Sequence, residues 1–136
     1  FVGITIADLK DIDKLLKSFS DAGLSANDLT QNEMAKLHLR YMVGGHAPEA
    51  KDELLYRFEF PEKPGALLSF LKNMGENWNI SLFHYRNHGA DIGRVLVGMQ
   101  VPVKDQGNFT SFLNQLEYPY ISETNNIGYK HFLGKR

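Results

Sequence analysis

The sequence predicts an α+β fold in which two helices pack on one face of a four-stranded sheet. Some short segments alternate apolar and polar residues, which is typical of strands, and others repeat apolar residues at helical spacing. Over residues 54–122 these segments follow one another in the order β-α-β-β-α-β. That order is typical of the ferredoxin-like fold. With 136 residues, 43% of them hydrophobic, the chain can bury one compact core or two small ones.

The first 45 residues alternate between strand and helix patterns. The predicted segments lie, in order, at residues 1–6, 8–22, 24–29 and 32–39. In the longer helix we expect Asp8 to be the N-cap, and Gly23 follows the last turn. The chain opens on Phe1 rather than on methionine, as a piece cut from a longer protein would.

A polar stretch rich in small residues, 46–53, is typical of a linker and marks a domain boundary. It separates a partial unit, 1–45, from a complete one, 54–136. In the complete unit the predicted strands lie at residues 56–60, 78–85, 94–103 and 118–122, and the predicted helices at 64–75 and 109–116. In the second strand, alternation places Trp78, Ile80, Leu82 and His84 on one side and Phe83 and Tyr85 on the other.

A weak internal repeat suggests that the partial unit is the second half of another such domain. Residues 2–6 resemble residues 97–101, and the helical pattern at 15–19 resembles that at 112–116 at nearly the same separation. Chance similarity between short apolar patterns is the competing interpretation.

Composition and charge exclude several function classes. The net charge is −1, so no basic field attracts a nucleic-acid backbone or an acidic membrane surface. The absence of cysteine excludes disulfides and thiolate metal sites and fits a reducing cytoplasm. His84 and His88 lie where a strand runs into a turn, without a nearby acidic pair, so we expect no metal site. No glycine-flanked serine predicts a nucleophile, so we expect no catalytic residue in this chain.

Three long tracts, residues 34–45, 58–67 and 78–86, closely resemble the C-terminal regulatory region of biosynthetic threonine dehydratase (threonine deaminase). The resemblance covers nearly the whole chain. It implies two tandem ACT-like subdomains that follow a catalytic domain containing pyridoxal phosphate and that bind isoleucine as feedback inhibitor and valine as its antagonist. The catalytic domain and the first half of the first ACT-like unit have no counterpart here, so we expect no cofactor in this fragment.

The loop from Pro61 to Leu67 suits such a ligand. A glycine at the mouth of a helix lets a ligand approach the backbone, and the free N–H groups of the first turn attract a carboxylate. Alternatively, Pro64 and Gly65 make only a strand-to-helix turn. With the resemblance, the predicted isoleucine and valine site comprises Pro64, Gly65, Ala66, Leu67, Asn79, Ile80, Phe83, Tyr85, Arg86 and Arg40.

The two arginines of that set carry fixed positive charge. Arg86 or Arg40 could hold a ligand carboxylate or an acidic residue across an interface, because guanidinium pairs bidentately with carboxylates. The alternative is that Arg86 ends a strand in solvent and Arg40 pairs with a surface acid.

The leading hypothesis is therefore an allosteric amino-acid-binding domain of a cytoplasmic, homo-oligomeric threonine dehydratase. Its expected partners are isoleucine, valine and the catalytic domain of the same chain, without nucleic acid or membrane. Two alternatives stay open: an oligomerisation module that binds no ligand, and a small stand-alone enzyme with a ferredoxin-like fold.

Overall fold

A computed structural model describes residues 3–39, 46–75, 77–87, 89 and 91–134. Its regular elements are, in chain order, α1 (Asp11–Asp21), α2 (Glu33–Leu37), β1 (Glu53–Pro61), α3 (Ala66–Gly75), β2 (Asn79–Arg86), β3 (Ile92–Gln100), α4 (Gln106–Gln115), β4 (Tyr120–Ser122) and α5 (Ile127–Phe132). A short 3₁₀ turn, Val103–Asp105, precedes α4.

The four strands form one antiparallel sheet in the order β2-β3-β1-β4. β1 pairs with β3 along its whole length, from Glu53 opposite Gln100 to Pro61 opposite Ile92. β4 pairs with β1 over three residues. The predicted β-α-β-β-α-β order and the ferredoxin-like fold are confirmed.

One face of the sheet carries the larger core. Aromatic rings from β1 pack against α3, and the centroids of Phe58 and Phe70 lie 5.0 Å apart at an edge-to-face angle. The core consists of Phe58, Phe60, Ala66, Phe70, Met74, Trp78, Val95, Val97, Met99, Val101, Phe109 and Leu113. The apolar side chains at alternate positions of β1 and β3 therefore point toward α3 and α4.

The opposite face of the sheet is covered by α2 and α5. Met34 of α2 and Tyr129 of α5 pack with Leu55, Leu96 and Leu133 in a second, smaller core. The sequence interpretation did not predict α5. This six-residue helix is too short to show helical periodicity clearly, and its N-cap Asn126, which accepts a hydrogen bond from the Gly128 N–H at 2.8 Å, is its main local signal.

The N-caps of α2 and α5 are joined to each other. Asn32 accepts from the Ala35 N–H at 2.9 Å and thereby caps α2. Its amide nitrogen donates to Asn126 Oδ1 at 2.7 Å, and the Asn126 amide donates back to Asn32 Oδ1 at 3.1 Å. This reciprocal pair fixes one short helix relative to the other.

A buried ion pair lies on the same face. Arg57 of β1 donates from Nε to Glu123 at 3.1 Å, and both residues are buried. Glu123 also accepts from the Asn126 side chain at 2.7 Å. These partners compensate the cost of removing both charges from water.

Two histidines connect α2 to the edge strand β2. His38, immediately after α2, is fully buried, and its Nδ1 lies 2.8 Å from His84 Nδ1 on β2. Burial, then the neighbouring His84 and three arginines (Arg57, Arg86 and Arg94), lowers the pKa of His38 from 6.5 to about 3. Burial and Arg86 also lower the pKa of His84. The pair is therefore neutral, one ring donating and the other accepting.

A β-bulge changes the predicted facing of β2. Ile80 pairs with Met99 and Leu82 pairs with Gly98, so Ser81 is the extra residue. An extra residue in a strand turns the side chains that precede it to the opposite face of the sheet. Trp78 therefore packs in the larger core, while Leu82 and His84 lie on the side of α2, so the prediction that all three share one side is wrong.

Among the described residues of the first 39, the two predicted helices are found and the two predicted strands are not. Residues 3–6 and 24–29 have no regular structure and pair with no strand, and a strand requires a partner for its backbone groups. Asp8 is not the N-cap of α1. That position is Lys10, whose N–H donates to Asp8 Oδ1 at 2.9 Å. The division into a partial and a complete unit stays a prediction.

We expect Phe70→Ala to lower the free energy of unfolding by about 3–5 kcal/mol, because it leaves a cavity in the larger core. Val103→Ala is the control: Val103 is 73% exposed, and its truncation should cost less than about 0.5 kcal/mol. Chemical denaturation measures both. Equal losses would contradict the placement of this core.

We expect the buried histidine to make stability depend on pH. The unfolded chain protonates His38 near pH 6.5 and the folded chain only near 3, so its contribution is present above pH 6.5 and lost as the pH falls toward 3. Between pH 7 and 5, wild type should lose roughly 2 kcal/mol more than His38→Gln. Parallel stability curves for the two proteins, measured by denaturation across pH, would contradict the buried neutral state.

Candidate functional site

A cleft of about 450 Å³ opens where β1 passes into α3, beside the edge strand β2. It is lined by Phe60, Glu62, Lys63, Gly65, Leu67, Leu68, Leu71 and Tyr85. Three elements thus contribute side chains to one concave surface.

The floor of the cleft is the turn that leads into α3. Gly65 has a φ of +83°, a left-handed conformation that side chains other than glycine rarely adopt. Nothing lies within 4 Å of the position that a Cβ of Gly65 would take. The helix begins at Ala66, and N–H groups in a first helical turn have no acceptor within the helix and favour negative charge.

An aromatic wall closes one side. The rings of Phe60 and Tyr85 are stacked with centroids 6.1 Å apart, although their strands are not neighbours. They meet across Gly93 of the intervening β3, where a Cβ would lie 3.1 Å from each ring. The absence of a side chain at Gly93 therefore builds this wall.

A carboxylate is held against the same wall. The Tyr85 hydroxyl donates to Glu62 Oε1, which lies over the backbone of Gly93. The Glu62 N–H donates to the Asp91 carbonyl at 2.8 Å, so backbone and side chain are both fixed. The hydrogen bond to Glu62 raises the pKa of Tyr85, which keeps the phenol protonated and donating.

The remaining lining is aliphatic, with one cation at the rim. Leu67, Leu68 and Leu71 lie on α3, and Leu68 is 57% exposed. Lys63 is exposed beside the turn. The cleft thus combines an apolar side with both signs of charge, a composition that suits a small zwitterion with an aliphatic side chain.

Three of the predicted site residues, Gly65, Leu67 and Tyr85, line the cleft. Pro64 lies in the adjoining turn, and Ala66 is buried in the larger core. Phe83 lies two residues before Tyr85 and is 38% exposed. Asn79 and Ile80 lie at the opposite end of β2, away from the cleft.

The two predicted arginines are not part of the cleft lining. Arg86 follows Tyr85 and lies on the other face of the sheet, where Nη1 donates to the Leu37 carbonyl at 3.1 Å. It contacts the last residue of α2. Arg40 lies outside the described residues.

The sequence interpretation missed five lining residues: Phe60, Glu62, Lys63, Leu68 and Leu71. Glu62 and Lys63 lie inside the loop on which the site was predicted, so their position in the sequence could have identified them as lining residues. Leu68 and Leu71 follow Leu67 by one and four residues, and helical spacing could have placed Leu71 beside it.

Within the described ranges, no group of three or more histidine, aspartate or glutamate side chains is arranged to hold a metal ion. His84 is paired with His38, and His88 lies outside those ranges. The helices of the same ranges include none long and apolar enough to cross a membrane.

Residues 44–133 match the family described as the C-terminal regulatory domain of threonine dehydratase. The chain is 51% identical over 133 residues to the biosynthetic L-threonine dehydratase IlvA of Burkholderia multivorans and 48% identical over 134 residues to that of Escherichia coli. Each alignment covers 98% of this chain and 26% of the relative. The mitochondrial threonine dehydratase of Saccharomyces cerevisiae is 48% identical over 124 residues, which is 91% of this chain and 21% of that protein. The chain thus spans about a quarter of the length of these relatives.

We expect Gly65→Ala to lower the free energy of unfolding by about 1–2 kcal/mol, because alanine is strained at a positive φ even where space is open. Gly107→Ala is the matched control: Gly107 lies in α4 without a positive φ or a close neighbour, so alanine there should stabilise by up to about 1 kcal/mol. Denaturant titration of both variants measures the difference. A neutral Gly65→Ala would contradict the turn geometry.

Proposed function

Because the chain belongs to the family of C-terminal regulatory domains of threonine dehydratase, we propose that it senses isoleucine for an enzyme that converts threonine to 2-oxobutanoate and ammonia. The resemblance of the sequence tracts to this family is confirmed. Binding of isoleucine as feedback inhibitor, and of valine as its antagonist, is the proposal.

The observation that supports the proposal best is the cleft at the start of α3. The first turn of that helix and Lys63 favour a carboxylate, and the Gly65 turn lets a ligand approach the backbone closely. Leu67, Leu68 and Leu71 offer an apolar surface to a branched aliphatic chain. Apolar pockets distinguish ligands that differ by one methylene by only about 1–3 kcal/mol, so valine should compete at the same site.

Inhibition of a distant active site requires that the ligand favour one arrangement of the regulatory domain over another, with a typical coupling of about 1–3 kcal/mol. β2 could carry that difference. Tyr85 lines the cleft, while its neighbours His84 and Arg86 contact His38 and the Leu37 carbonyl on the other face. A shift of β2 on binding would therefore change its contacts with the end of α2.

We assign pyridoxal phosphate to the catalytic domain of the parent enzyme. That cofactor forms a Schiff base with a lysine, and a catalytic lysine of this kind is shielded from water. Every lysine in the described ranges is exposed, so these residues do not fit the cofactor. We propose that the chain by itself is non-catalytic.

We further propose a cytoplasmic homo-oligomer in which this domain contacts its own catalytic domain. β2 and β4 are the edges of the sheet, and edge strands recruit partners. Ile80 and Phe83, both on β2, are 37% and 38% exposed. The same edges would support the alternative of an oligomerisation module without a ligand.

Thermal denaturation discriminates these alternatives. A rise in melting temperature with isoleucine supports the amino-acid sensor, because a ligand that binds only the folded state stabilises it. Self-association without any isoleucine effect would favour the oligomerisation module. Threonine turnover by the chain alone would favour the stand-alone enzyme.

In the intact threonine dehydratase that carries this domain, we expect Leu67→Phe to raise the isoleucine concentration for half-inhibition at least about tenfold. The larger ring occupies the space offered to the ligand's aliphatic chain. Deamination of threonine is measured against isoleucine concentration, with each curve normalised to the rate without isoleucine.

The control is Val103→Phe, which places the same ring at an exposed position outside the cleft lining. It should leave the inhibition curve unchanged. Unaltered sensitivity of Leu67→Phe would exclude this cleft as the isoleucine site.

A further inference from the structure

We propose, on the premise of the function proposed above, that Glu62 recognises the α-ammonium group of the bound amino acid and so separates the amino acid from its 2-oxo acid. Glu62 lies in the cleft, next to the turn that favours the ligand carboxylate.

The Glu62 carboxylate is preorganised at the cleft wall. Tyr85 donates its hydroxyl hydrogen to Oε1, and the backbone N–H of Glu62 is bonded to the Asp91 carbonyl at 2.8 Å. Gly93 provides the room, since a Cβ at that position would collide with Oε1. Two separate segments, the end of β2 and the start of β3, therefore fix this acceptor at one place, which reduces the ordering needed when a ligand binds.

The same carboxylate has spare capacity to accept hydrogen bonds. An ionised carboxylate offers about four acceptor positions, and within the described part of the chain Glu62 uses one of them, to Tyr85. No lysine, arginine or histidine of the described ranges forms an ion pair with it. The raised pKa of Tyr85 agrees with an anionic neighbour. A cationic donor from a ligand would fill an unused acceptor position of the Glu62 carboxylate.

The other parts of the cleft do not distinguish an amino acid from its 2-oxo acid. Both compounds carry the same carboxylate for the helix start and Lys63, and the same branched chain for Leu67 and Leu71. They differ at the α-carbon, where one has an ammonium and the other a carbonyl oxygen. A carbonyl beside Glu62 would place two acceptors together and give the carboxylate no donor from the ligand, which disfavours the 2-oxo acid.

Calorimetric titration of the intact protein that carries this chain tests the assignment, with L-isoleucine and (S)-3-methyl-2-oxopentanoate as probes. Wild type should bind isoleucine at least about tenfold more tightly than the 2-oxo acid. In Glu62→Gln, which keeps the shape and an acceptor for Tyr85, isoleucine should bind about tenfold more weakly and the preference should fall below about threefold. Glu117→Gln, an exposed change between α4 and β4, is the matched control and should behave as wild type.

Circular dichroism and the melting temperature without ligand establish that Glu62→Gln is folded. Tyr85→Phe gives a second, independent variant: it retains the charge at Glu62 and should therefore retain the preference for the amino acid. If wild type binds isoleucine and Glu62→Gln keeps both its affinity and its preference, the role of Glu62 is overturned while the proposed function stands. If wild type does not bind isoleucine, the proposed function itself is overturned, and the role of Glu62 falls with it.

Discussion

The antiparallel pairing of β1 with β3 is the interaction on which the rest of this domain depends. It runs over nine residue pairs, from Glu53 with Gln100 to Pro61 with Ile92, and puts these two strands in the middle of the sheet. Strands in that position bury side chains on both faces, so both faces need a cover. α3 and α4 supply it on one face, and α2 and α5 supply it on the other.

The two faces of the sheet are stabilised by different kinds of interaction. The face under α3 and α4 is apolar and aromatic, and packing alone can hold it. The other face buries Arg57, Glu123 and His38, which are tolerated only with partners. Those partners come from distant parts of the chain: Glu123 meets Arg57, and His84 meets His38. This ion pair and this hydrogen bond therefore fix the positions of α2 and of the segment before α5 on the sheet.

The edge strand β2 contributes side chains to the contacts on both faces of the sheet. Tyr85 borders the cleft, and the adjacent Arg86 contacts the Leu37 carbonyl at the end of α2. Neighbouring residues of a strand share one backbone and point to opposite faces of the sheet. A displacement of the backbone at Tyr85 therefore also moves Arg86 on the other face. Such a strand, if it has two arrangements, is the kind of element that couples a binding site to a distant one. The cleft and α2 are thus physically continuous through one strand.

The sequence by itself determined the order and kind of elements from residue 54 to 122, because periodicity is a local property of the chain. The predicted site residues also included Gly65, Leu67 and Tyr85, all of which line the cleft. Only the tertiary structure showed that Glu62 belongs to the cleft, since Glu62 and Tyr85 meet across Gly93 of a third strand. The bulge at Ser81 likewise reversed the facing expected for Trp78, and the described residues of the strands expected at 1–6 and 24–29 have no regular structure. Pairing partners, register and approach across a sheet are long-range properties, which no window of neighbouring residues contains.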